Sequence, residues 1–440
     1  MPGPSLRNWE LARALARRFD VTLAAPGQPA VRSTEFKIIG WDTRPPEELI
    51  AASDVVKVSG FLLDEHPHIA KARHLVVDLY DPFPLENLHM YPERPLEERY
   101  RIAAHDAEVQ TGLVRSGDVF LCASERQRDF WLGWLAAAGR VNPYLHDADA
   151  GFEKFMLVVP FGVPDEPAKA RPHRFRGVMA GIAKEDLLVV WGGGIWNWFD
   201  PLTLIRAAAQ TRDQLPRLRV VFPVTSVPSP DVLPMAMLDR ARRLSDELGQ
   251  TGSRVFFGSS WIPHDDFGGV LLEADIGISL HQPSVETRFS FRTRILDYLW
   301  AGLPTIATWG DSMADLVRAE DLGEVVPPGD VDALVRALID LGSDVGRREG
   351  CARRSLAAGT RFRWSTVAGP LVAYCEAPFQ APDRAAMRQA RAAPRDGRRS
   401  SPQPHEGRRL VKRAVEVLGS EGPKKLAQKG SAYLRRRPKS

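Results

Sequence analysis

The sequence has few cysteines and no long apolar run, and both absences narrow the class of protein. Its 440 residues include three cysteines, Cys122, Cys351 and Cys375, which lie far apart. They form neither a disulfide framework nor a metal cluster, which fits a reducing cytoplasm. No segment approaches the roughly 18 consecutive apolar residues of a membrane-spanning helix. The first residues also lack the basic segment and apolar core of a secretory signal. The sequence therefore predicts a cytoplasmic protein.

The sequence also lacks several well-known enzyme motifs. There is no Gly-x-Ser-x-Gly hydrolase motif and no Gly-x4-Gly-Lys-Ser/Thr phosphate loop. The histidines do not have the spacing of metal ligands, and we expect no metal site. These isolated histidines include His66, His68, His89, His264 and His281.

Charge is unevenly distributed along a chain of otherwise ordinary composition. Hydrophobic residues make up 44% and charged residues 26%, as in soluble globular proteins. Residues 383–440 hold 17 basic and 5 acidic side chains, whereas residues 1–382 hold 42 and 50. We therefore expect a mildly acidic folded body and a basic, largely disordered tail. Within the tail, Arg408–Gly419 has an apolar helical face, and Lys424–Arg437 is a weaker helix candidate.

Short apolar runs alternate with helical patterns and predict an α/β fold with parallel strands in βαβ units. The predicted strands are Val21–Ala25, Asp54–Val58, Leu75–Val77, Val119–Cys122, Met156–Pro160, Leu187–Trp191, Leu218–Phe222, Val255–Phe257, Ile276–Leu280, Thr305–Ala307 and Glu324–Val326. The predicted helices are Asn8–Phe19, Pro201–Gln210, Thr293–Trp300, Asp330–Leu341 with Asp330 as N-cap, and Arg363–Tyr374. A Pro- and Gly-rich connection follows residue 160. We therefore predict two Rossmann-like domains, residues 1–164 and 165–360, then a closing helix over 361–382 and the tail.

The segment 283–304, PSVETRFSFRTRILDYLWAGLP, carries the most informative cluster of charges. A loop and the first turn of a helix present free backbone N–H groups, which attract phosphate, and Arg292 and Arg294 add charged donors. Asp297 lies within the helix, where its carboxylate could accept hydrogen bonds from ribose hydroxyls. The alternative is a surface helix with ordinary ion pairs.

This segment resembles the signature region of family 4 glycosyltransferases, which have the GT-B fold. That family carries a Glu-x7-Glu motif before an Ala/Gly-Leu-Pro ending. Alignment on Gly302-Leu303-Pro304 puts Asp297 at the second Glu, whereas the first falls on Phe289 and the nearest acid is Glu286. The version found here is similar to a bacterial subgroup of polysaccharide-assembly enzymes. The resemblance implies that Asp297 contacts the nucleotide ribose and that Glu286 lies near the donor sugar.

The glycine-rich segment WGGGIWNWFD, residues 191–200, is the second candidate for donor binding. Gly192, Gly193 and Gly194 follow a strand and let a ligand approach the backbone, although they also suit a simple tight turn. In the resembling family this loop is usually followed by a Lys that contacts the donor phosphates, which is absent here. We therefore expect Arg292 and Arg294 to bind the phosphates. We assign three further residues to the donor site: Trp196, Trp261 and Ser290.

Two carboxylates in the first half follow an apolar strand in LVVDLYDP. Asp78 and Asp81 come at the carboxyl end of this strand, where open α/β sheets place functional groups. Either could orient or deprotonate an acceptor hydroxyl, and we assign both, with Glu286, to catalysis. The alternatives are that Asp81 only starts an Asp-Pro turn and that Asp78 only caps the strand.

The resemblance also implies a strand and a Gly-rich loop before the first predicted helix. The sequence starts at Met1-Pro2-Gly3-Pro4, which is similar to the end of such a loop. We expect that the true start lies upstream; the alternative is a truncated relative.

The resemblance implies a glycosyltransferase that moves a sugar from a nucleotide-diphosphate-sugar to a glycan or lipid-linked acceptor. It also implies a retaining reaction without a metal or other cofactor. The alternatives are a non-catalytic GT-B relative and a nucleotide-sugar epimerase. The basic tail is either a solvated extension or an anchor to anionic lipids on the inner face of the membrane. The tail lacks the interleaved aromatic residues of a nucleic-acid-binding segment, because Tyr433 is its only Phe, Trp or Tyr, and we expect no nucleic-acid partner.

Overall fold

The computed structural model describes residues 3–225, 235–258 and 262–392. The two helices expected in the tail, Arg408–Gly419 and Lys424–Arg437, lie outside the described residues. The chain divides into a compact unit, Met1–Ala385, and a second unit that begins at Ala386. No helix in the described ranges combines the length and the apolar character that crossing a bilayer requires.

The first half of the compact unit contains two parallel sheets. Strands β1 (Thr22–Pro26) and β2 (Lys37–Trp41) pair with each other. A second sheet has the order β3-β4-β5-β6. Its strands are β3 (Val55–Ser59), β4 (His74–Asp78), β5 (Val119–Cys122) and β6 (Met156–Val158). The helices of this half are α1 (Gly3–Ala16), α2 (Glu47–Ala52), α3 (Leu62–Glu65), α4 (Phe83–Glu86), α5 (Leu96–Ser116), α6 (Glu125–Ala137) and α7 (Pro143–Ala148), with short 3-10 helices at Pro67–Lys71 and Asn87–His89.

The second half is built on a six-stranded parallel sheet of order β12-β11-β10-β7-β8-β9. Its strands are β7 (Leu187–Val190), β8 (Leu218–Phe222), β9 (Val255–Phe257), β10 (Ile276–Ser279), β11 (Thr305–Thr308) and β12 (Gly323–Val326). The helices are α8 (Pro201–Gln210), α9 (Ala236–Glu247), α10 (His264–Leu272), α11 (Val285–Phe289), α12 (Thr293–Ala301), α13 (Ser312–Ala319), α14 (Val331–Ser343), α15 (Val345–Gly359), α16 (Trp364–Val367) and α17 (Gly369–Glu376), with a 3-10 helix at Thr360–Phe362. Most of the last described helix, α18 (Arg384–Ala392), belongs to the second unit.

The predicted α/β fold with parallel strands is confirmed, and several elements differ from expectation. Helix α1 spans Gly3–Ala16 rather than Asn8–Phe19, because Pro4 is tolerated in a first helical turn. Strand β2 was not predicted. The expected closing helix is two helices, α16 and α17, because Pro370 occupies the first turn of a new helix.

Helices in the second half begin at capping side chains or end at a glycine, and these residues set where the neighbouring loops start. The Asp330 carboxylate accepts from the Ala333 N–H at 2.8 Å and caps α14, as predicted. Gly302 ends α12 with φ of 70°, the left-handed conformation that favours glycine. Ser284 caps α11 by accepting from the Thr287 N–H, although α11 itself was not predicted.

Contacts between the two halves hold their facing loops together. The Gln127 amide on α6 donates to the Tyr80 carbonyl at 2.9 Å and to the Phe289 carbonyl at 2.8 Å. The Phe130 ring stacks on Phe289 with centroids 4.6 Å apart. Arg126 donates to the Gly310 carbonyl at 2.7 Å. These bonds link the carboxyl-end loops of both halves.

Candidate functional site

A cleft of about 440 Å³ opens where loops of the two halves face each other. Its walls come from residues that follow β4, β7 and β10 and from the first turns of α12. Ten of the residues predicted from sequence line it: Asp81, Gly192, Gly193, Gly194, Trp196, Glu286, Ser290, Arg292, Arg294 and Asp297. Asp78 is not among the lining residues. Trp261 lies outside the described residues.

The glycine loop after β7 is fixed to a buried tyrosine. The Gly192 N–H donates to the Tyr298 hydroxyl at 2.8 Å, and that hydroxyl donates to the Ile278 carbonyl at 2.8 Å. A Cβ at Gly192 would lie 2.9 Å from the Tyr298 ring, so no larger residue fits without displacement. Gly193 has φ of 101°, which side chains rarely adopt. The glycines therefore allow both the turn and its close packing against α12.

Arg294, one turn before Tyr298 on α12, also binds this loop. Its Nε donates to the Gly192 carbonyl and its Nη2 donates to the Gly194 carbonyl, the latter at 2.9 Å. The guanidinium lies over the rings of Trp191 and Phe199, 4.5 and 4.4 Å from their centroids. Burial lowers the pKa of Arg294 to about 10, so it remains a cation at neutral pH. Its Nη1 is buried and has no hydrogen-bond partner among the described residues.

Arg292 is held by a buried carboxylate. Its Nε lies 2.8 Å from Asp311 Oδ2, and its Nη1 donates to the Thr308 hydroxyl at 3.0 Å. Asp311 also caps α13 by accepting from the Met313 N–H at 2.8 Å. Within the described ranges the buried Nη2 of Arg292 has no hydrogen-bond partner. Each guanidinium therefore binds protein groups through some of its nitrogens and keeps one Nη group without a hydrogen-bond partner among the described residues. Binding of the donor phosphates by Arg292 and Arg294 stays a prediction.

Two carboxyl groups of the second half face the cleft with raised pKa values. Burial raises the pKa of Asp297 to about 7, against the opposing effect of Arg294. Burial likewise raises the pKa of Glu286 to about 7, against the effect of Arg292. Glu286 is only 1% exposed, and its Oε1 has no hydrogen-bond partner among the residues described. Ser290 donates its N–H to the Glu286 carbonyl at 2.9 Å and thereby ends α11.

The aromatic residues of the glycine loop form a stacked pair. The rings of Trp196 and Trp198 lie 5.6 Å apart with an interplanar angle of 8°. Trp196 is half-buried and lines the cleft. Asn197 between them donates weakly to the carbonyls of His89 and Met90, at 3.4 Å each. The pair therefore offers a flat aromatic surface at the mouth of the cleft, which suits stacking.

The two aspartates after β4 have opposite environments. Asp78 is buried, with Arg7 Nε at 2.8 Å and Lys57 Nζ at 2.9 Å. Burial alone would raise its pKa, but these two cations outweigh burial and lower it to about 2. This placement favours a structural role, joining α1 to the sheet. Asp81 lines the cleft, and burial raises its pKa to about 6.

Sequence reasoning missed several polar residues of the cleft, among them Glu86, Ser279 and His281. His281 is 3% exposed, and its backbone N–H donates to the Thr308 hydroxyl at 3.1 Å. Burial, with the nearby charges of Arg292 and Arg294, holds the pKa of His281 well below its usual range, so the ring is neutral. Their position in the sequence could have indicated Ser279 and His281, because Ser279 ends an apolar strand, His281 follows it, and functional groups lie at the carboxyl ends of such strands. Glu86 ends a single-turn helix that no periodic pattern marks.

No group of three or more His, Cys, Asp or Glu side chains within the described part of the chain is arranged to hold a metal ion.

No protein-family model and no curated protein matches the sequence. Solved structures do match. Sucrose-phosphate synthase from Thermosynechococcus elongatus aligns with a TM-score of 0.63 and 15% identity, covering 86% of this chain and 93% of that chain. Anabaena HepE in complex with UDP-glucose aligns with a TM-score of 0.60 and 15% identity over 86% and 96% of the two chains. WaaG, a glycosyltransferase involved in lipopolysaccharide biosynthesis, aligns with a TM-score of 0.57 and 14% identity over 86% and 96%. These matches establish the fold: the chain has the GT-B architecture, with two Rossmann-like domains facing across a cleft.

Proposed function

We propose that this protein is a glycosyltransferase that moves a sugar from a nucleotide-diphosphate-sugar to a hydroxyl of a glycan or lipid-linked acceptor. The observation that carries the proposal is a set of buried polar atoms without hydrogen-bond partners among the described residues, all on residues that line one cleft. They include Ser279 Oγ, His281 Nδ1, Glu286 Oε1, Arg292 Nη2 and Arg294 Nη1. Each such atom costs roughly 1–3 kcal/mol when unpaired. A ligand with both anionic and hydroxyl groups would satisfy them together.

The donor fits this set by the chemistry of its parts. Two guanidinium N–H groups match phosphate oxygens, and they stabilise the negative charge that develops on the departing nucleoside diphosphate. Because Arg292 and Arg294 are already fixed by Asp311 and by the glycine loop, they need no reorganisation when that charge appears. Asp297 would accept hydrogen bonds from the ribose hydroxyls. The neutral His281 ring and the Glu286 carboxyl group would bind hydroxyls of the transferred sugar.

A known structure with the same fold supports a nucleotide-sugar as the donor. HepE, which shares the fold, was solved with UDP and with UDP-glucose. The similarity of segment 283–304 to family 4 enzymes supports two finer proposals. Transfer retains the anomeric configuration, and it needs neither a metal ion nor another cofactor.

The acceptor side of the proposal rests on the first half. Asp81 follows β4 and lines the cleft, where its carboxylate would orient the acceptor hydroxyl. For a lipid-linked acceptor, the basic residues of 383–440 would hold the enzyme against anionic lipid, at about 1 kcal/mol for each Lys or Arg near the surface. Sedimentation with vesicles containing phosphatidylglycerol tests this anchor. Loss of binding on deletion of 383–440 supports it, and unchanged binding refutes it.

Product analysis tests the transferase itself. The protein is incubated with a panel of nucleotide-diphosphate-sugars, with and without glycan and membrane-lipid acceptors, and the products are separated by chromatography. A transferase releases nucleoside diphosphate and forms a glycosylated product only when its acceptor is present. Conversion of the sugar without any acceptor would indicate an epimerase. Absence of any product, together with absence of nucleotide binding, would indicate a non-catalytic relative.

A further inference from the structure

Three carboxyl residues from three different segments line the cleft. Asp81 follows β4, Glu86 ends α4, and Glu286 lies on α11, which packs against α4. The Asp81 and Glu86 carboxyls interact within hydrogen-bonding reach, and the charge of Glu286 acts on Glu86. We refer to Asp81, Glu86 and Glu286 as the acidic cluster.

The basic side chains of this region serve other carboxylates. Arg7 and Lys57 bind Asp78, and Arg292 binds Asp311. Of the groups that influence the acidic cluster, Arg292 is the one cation among the described residues, and it acts on Glu286.

The pKa values of the cluster show the effect of this imbalance. Burial raises the pKa of Asp81 to about 6, although the hydrogen bond with Glu86 acts in the opposite direction. Burial first, and then the charges of Asp81 and Glu286, raises the pKa of Glu86 well above its usual range. Among the described residues, the cation that acts on the cluster is Arg292, and its ion pair is with Asp311.

Independent evidence indicates that this part of the cleft is built for a ligand. Glu286 is 99% buried and its Oε1 has no hydrogen-bond partner among the described residues. Ser279 and His281 line the same cleft, are also more than nine-tenths buried, and each has an unpartnered polar atom within the described ranges. In an ordinary acidic surface patch, water would form hydrogen bonds with these polar atoms. Here the atoms are buried, so a bound ligand is the partner that would replace those hydrogen bonds.

We propose that the acidic cluster binds a protonated primary amino group carried by one of the two sugar substrates. This inference rests on the proposed function and names the chemical class of its substrate. A primary ammonium group has three N–H donors and a positive charge, which match the paired Asp81 and Glu86 carboxyls and the negative charge of Glu286 in a low-dielectric cleft. A hydroxyl has a single donor and no charge, so it leaves most of the cluster unsatisfied. The described acids are not arranged to hold a metal ion.

Matched probes distinguish the two sources of the amino group. On the acceptor side, methyl α-D-glucoside is compared with its analogues that carry an amine at C2, C3, C4 or C6 and with their N-acetylated forms. On the donor side, UDP-glucose is compared with UDP-glucosamine and UDP-N-acetylglucosamine. Binding to the full chain is measured by competition calorimetry. We expect at least one free amine to bind about tenfold more tightly than both its hydroxyl and its N-acetyl counterparts.

Substitutions in the cluster supply the second measurement. Glu86→Gln and Glu286→Gln keep the shape of each side chain but remove its charge, and each is expected to abolish the amine preference. Glu153→Gln, at an exposed position, is the control and should keep it. Equal binding of amine and hydroxyl probes on both sides, or an amine preference that survives both cluster substitutions, would overturn the inference. If UDP-sugars bind and turn over without an amine preference, the proposed function stands and this inference fails. If no donor turns over, the proposed function fails separately.

Discussion

Replacing Arg294 with lysine separates two roles that a cation beside the glycine loop can have. Arg294 donates to the carbonyls of Gly192 and Gly194 with two different nitrogens and lies over two aromatic rings. Lysine keeps the charge but has no planar fork, so it can replace one of these bonds at most. If Arg294 acts mainly as a charge for phosphate, Arg294→Lys will be almost neutral. If it holds the loop, both stability and nucleotide binding will fall.

The size of the effect follows from the lost bond. A hydrogen bond from a charged group contributes roughly 1.5–3 kcal/mol, so we expect the free energy of unfolding to fall by about that amount. This lowers the melting temperature by roughly 3–12 °C in a domain of this size. A loop that is no longer held at both carbonyls should bind nucleoside diphosphate about tenfold more weakly, the equivalent of about 1.4 kcal/mol.

Calorimetric melting and nucleotide titration of the same preparations give both readouts. Arg212→Lys, at an exposed position on the same half, is the matched control and should change neither value. A melting temperature and an affinity for Arg294→Lys that both equal those of the wild type would refute this account of the loop.

Three further predictions concern the cleft and its support. Gly192→Ala places a Cβ 2.9 Å from the Tyr298 ring and should lower the free energy of unfolding by roughly 1–3 kcal/mol. Gly133→Ala, with open space around the new Cβ, is the control and should not lower it. Equal stability of the two variants in thermal unfolding would contradict the packing argument. Asp78→Asn leaves Arg7 and Lys57 without their carboxylate and should cost roughly 3–5 kcal/mol. The folded-state pKa of Asp78 is about 2 and its ordinary value is 3.8, so its contribution is complete above about pH 4 and disappears as the pH falls through 2. Acid titration of the variant should lack that part of the wild-type decline, and an identical decline would argue against the pair. Arg292→Ala should lower turnover at least tenfold, since each 1.4 kcal/mol is about tenfold, and near-wild-type turnover in a steady-state assay would exclude its role at the leaving group.

Most strands could be predicted because buried parallel strands appear as continuous apolar runs. Leu218–Phe222 and Val255–Phe257 have the predicted bounds. Strand β2, KIIGW, has an exposed Lys37 at one end and Gly40 inside, and it was missed because it lacks such a run. Pairing of β2 with β1 supplies the backbone hydrogen bonds that the local pattern does not indicate.

The composition of the site was easier to predict than the partners of its residues. Asp78 and Asp81 belong to one motif, yet Asp78 is paired with Arg7, 71 residues earlier in the chain, and Asp81 faces the cleft. Arg292 was predicted at the site, but its pairing with Asp311 depends on the pairing of β10 with β11, which brings the segments before α12 and α13 together. Such long-range pairs leave no mark in local spacing. The same reason explains why Glu86 was missed, since its meeting with Glu286 requires the two halves to face each other.

The central claim, that the cleft binds a nucleoside diphosphate, is tested most directly by calorimetry. We would titrate the protein with UDP, ADP, GDP, CDP and dTDP at pH 8, where Asp297, with a pKa of about 7, is ionised. The account predicts that at least one of these nucleotides binds at a single site, that Asp297→Ala weakens the binding about tenfold, and that Asp332→Ala, at an exposed position, leaves it unchanged. A folded protein that binds none of the five nucleotides would contradict the account.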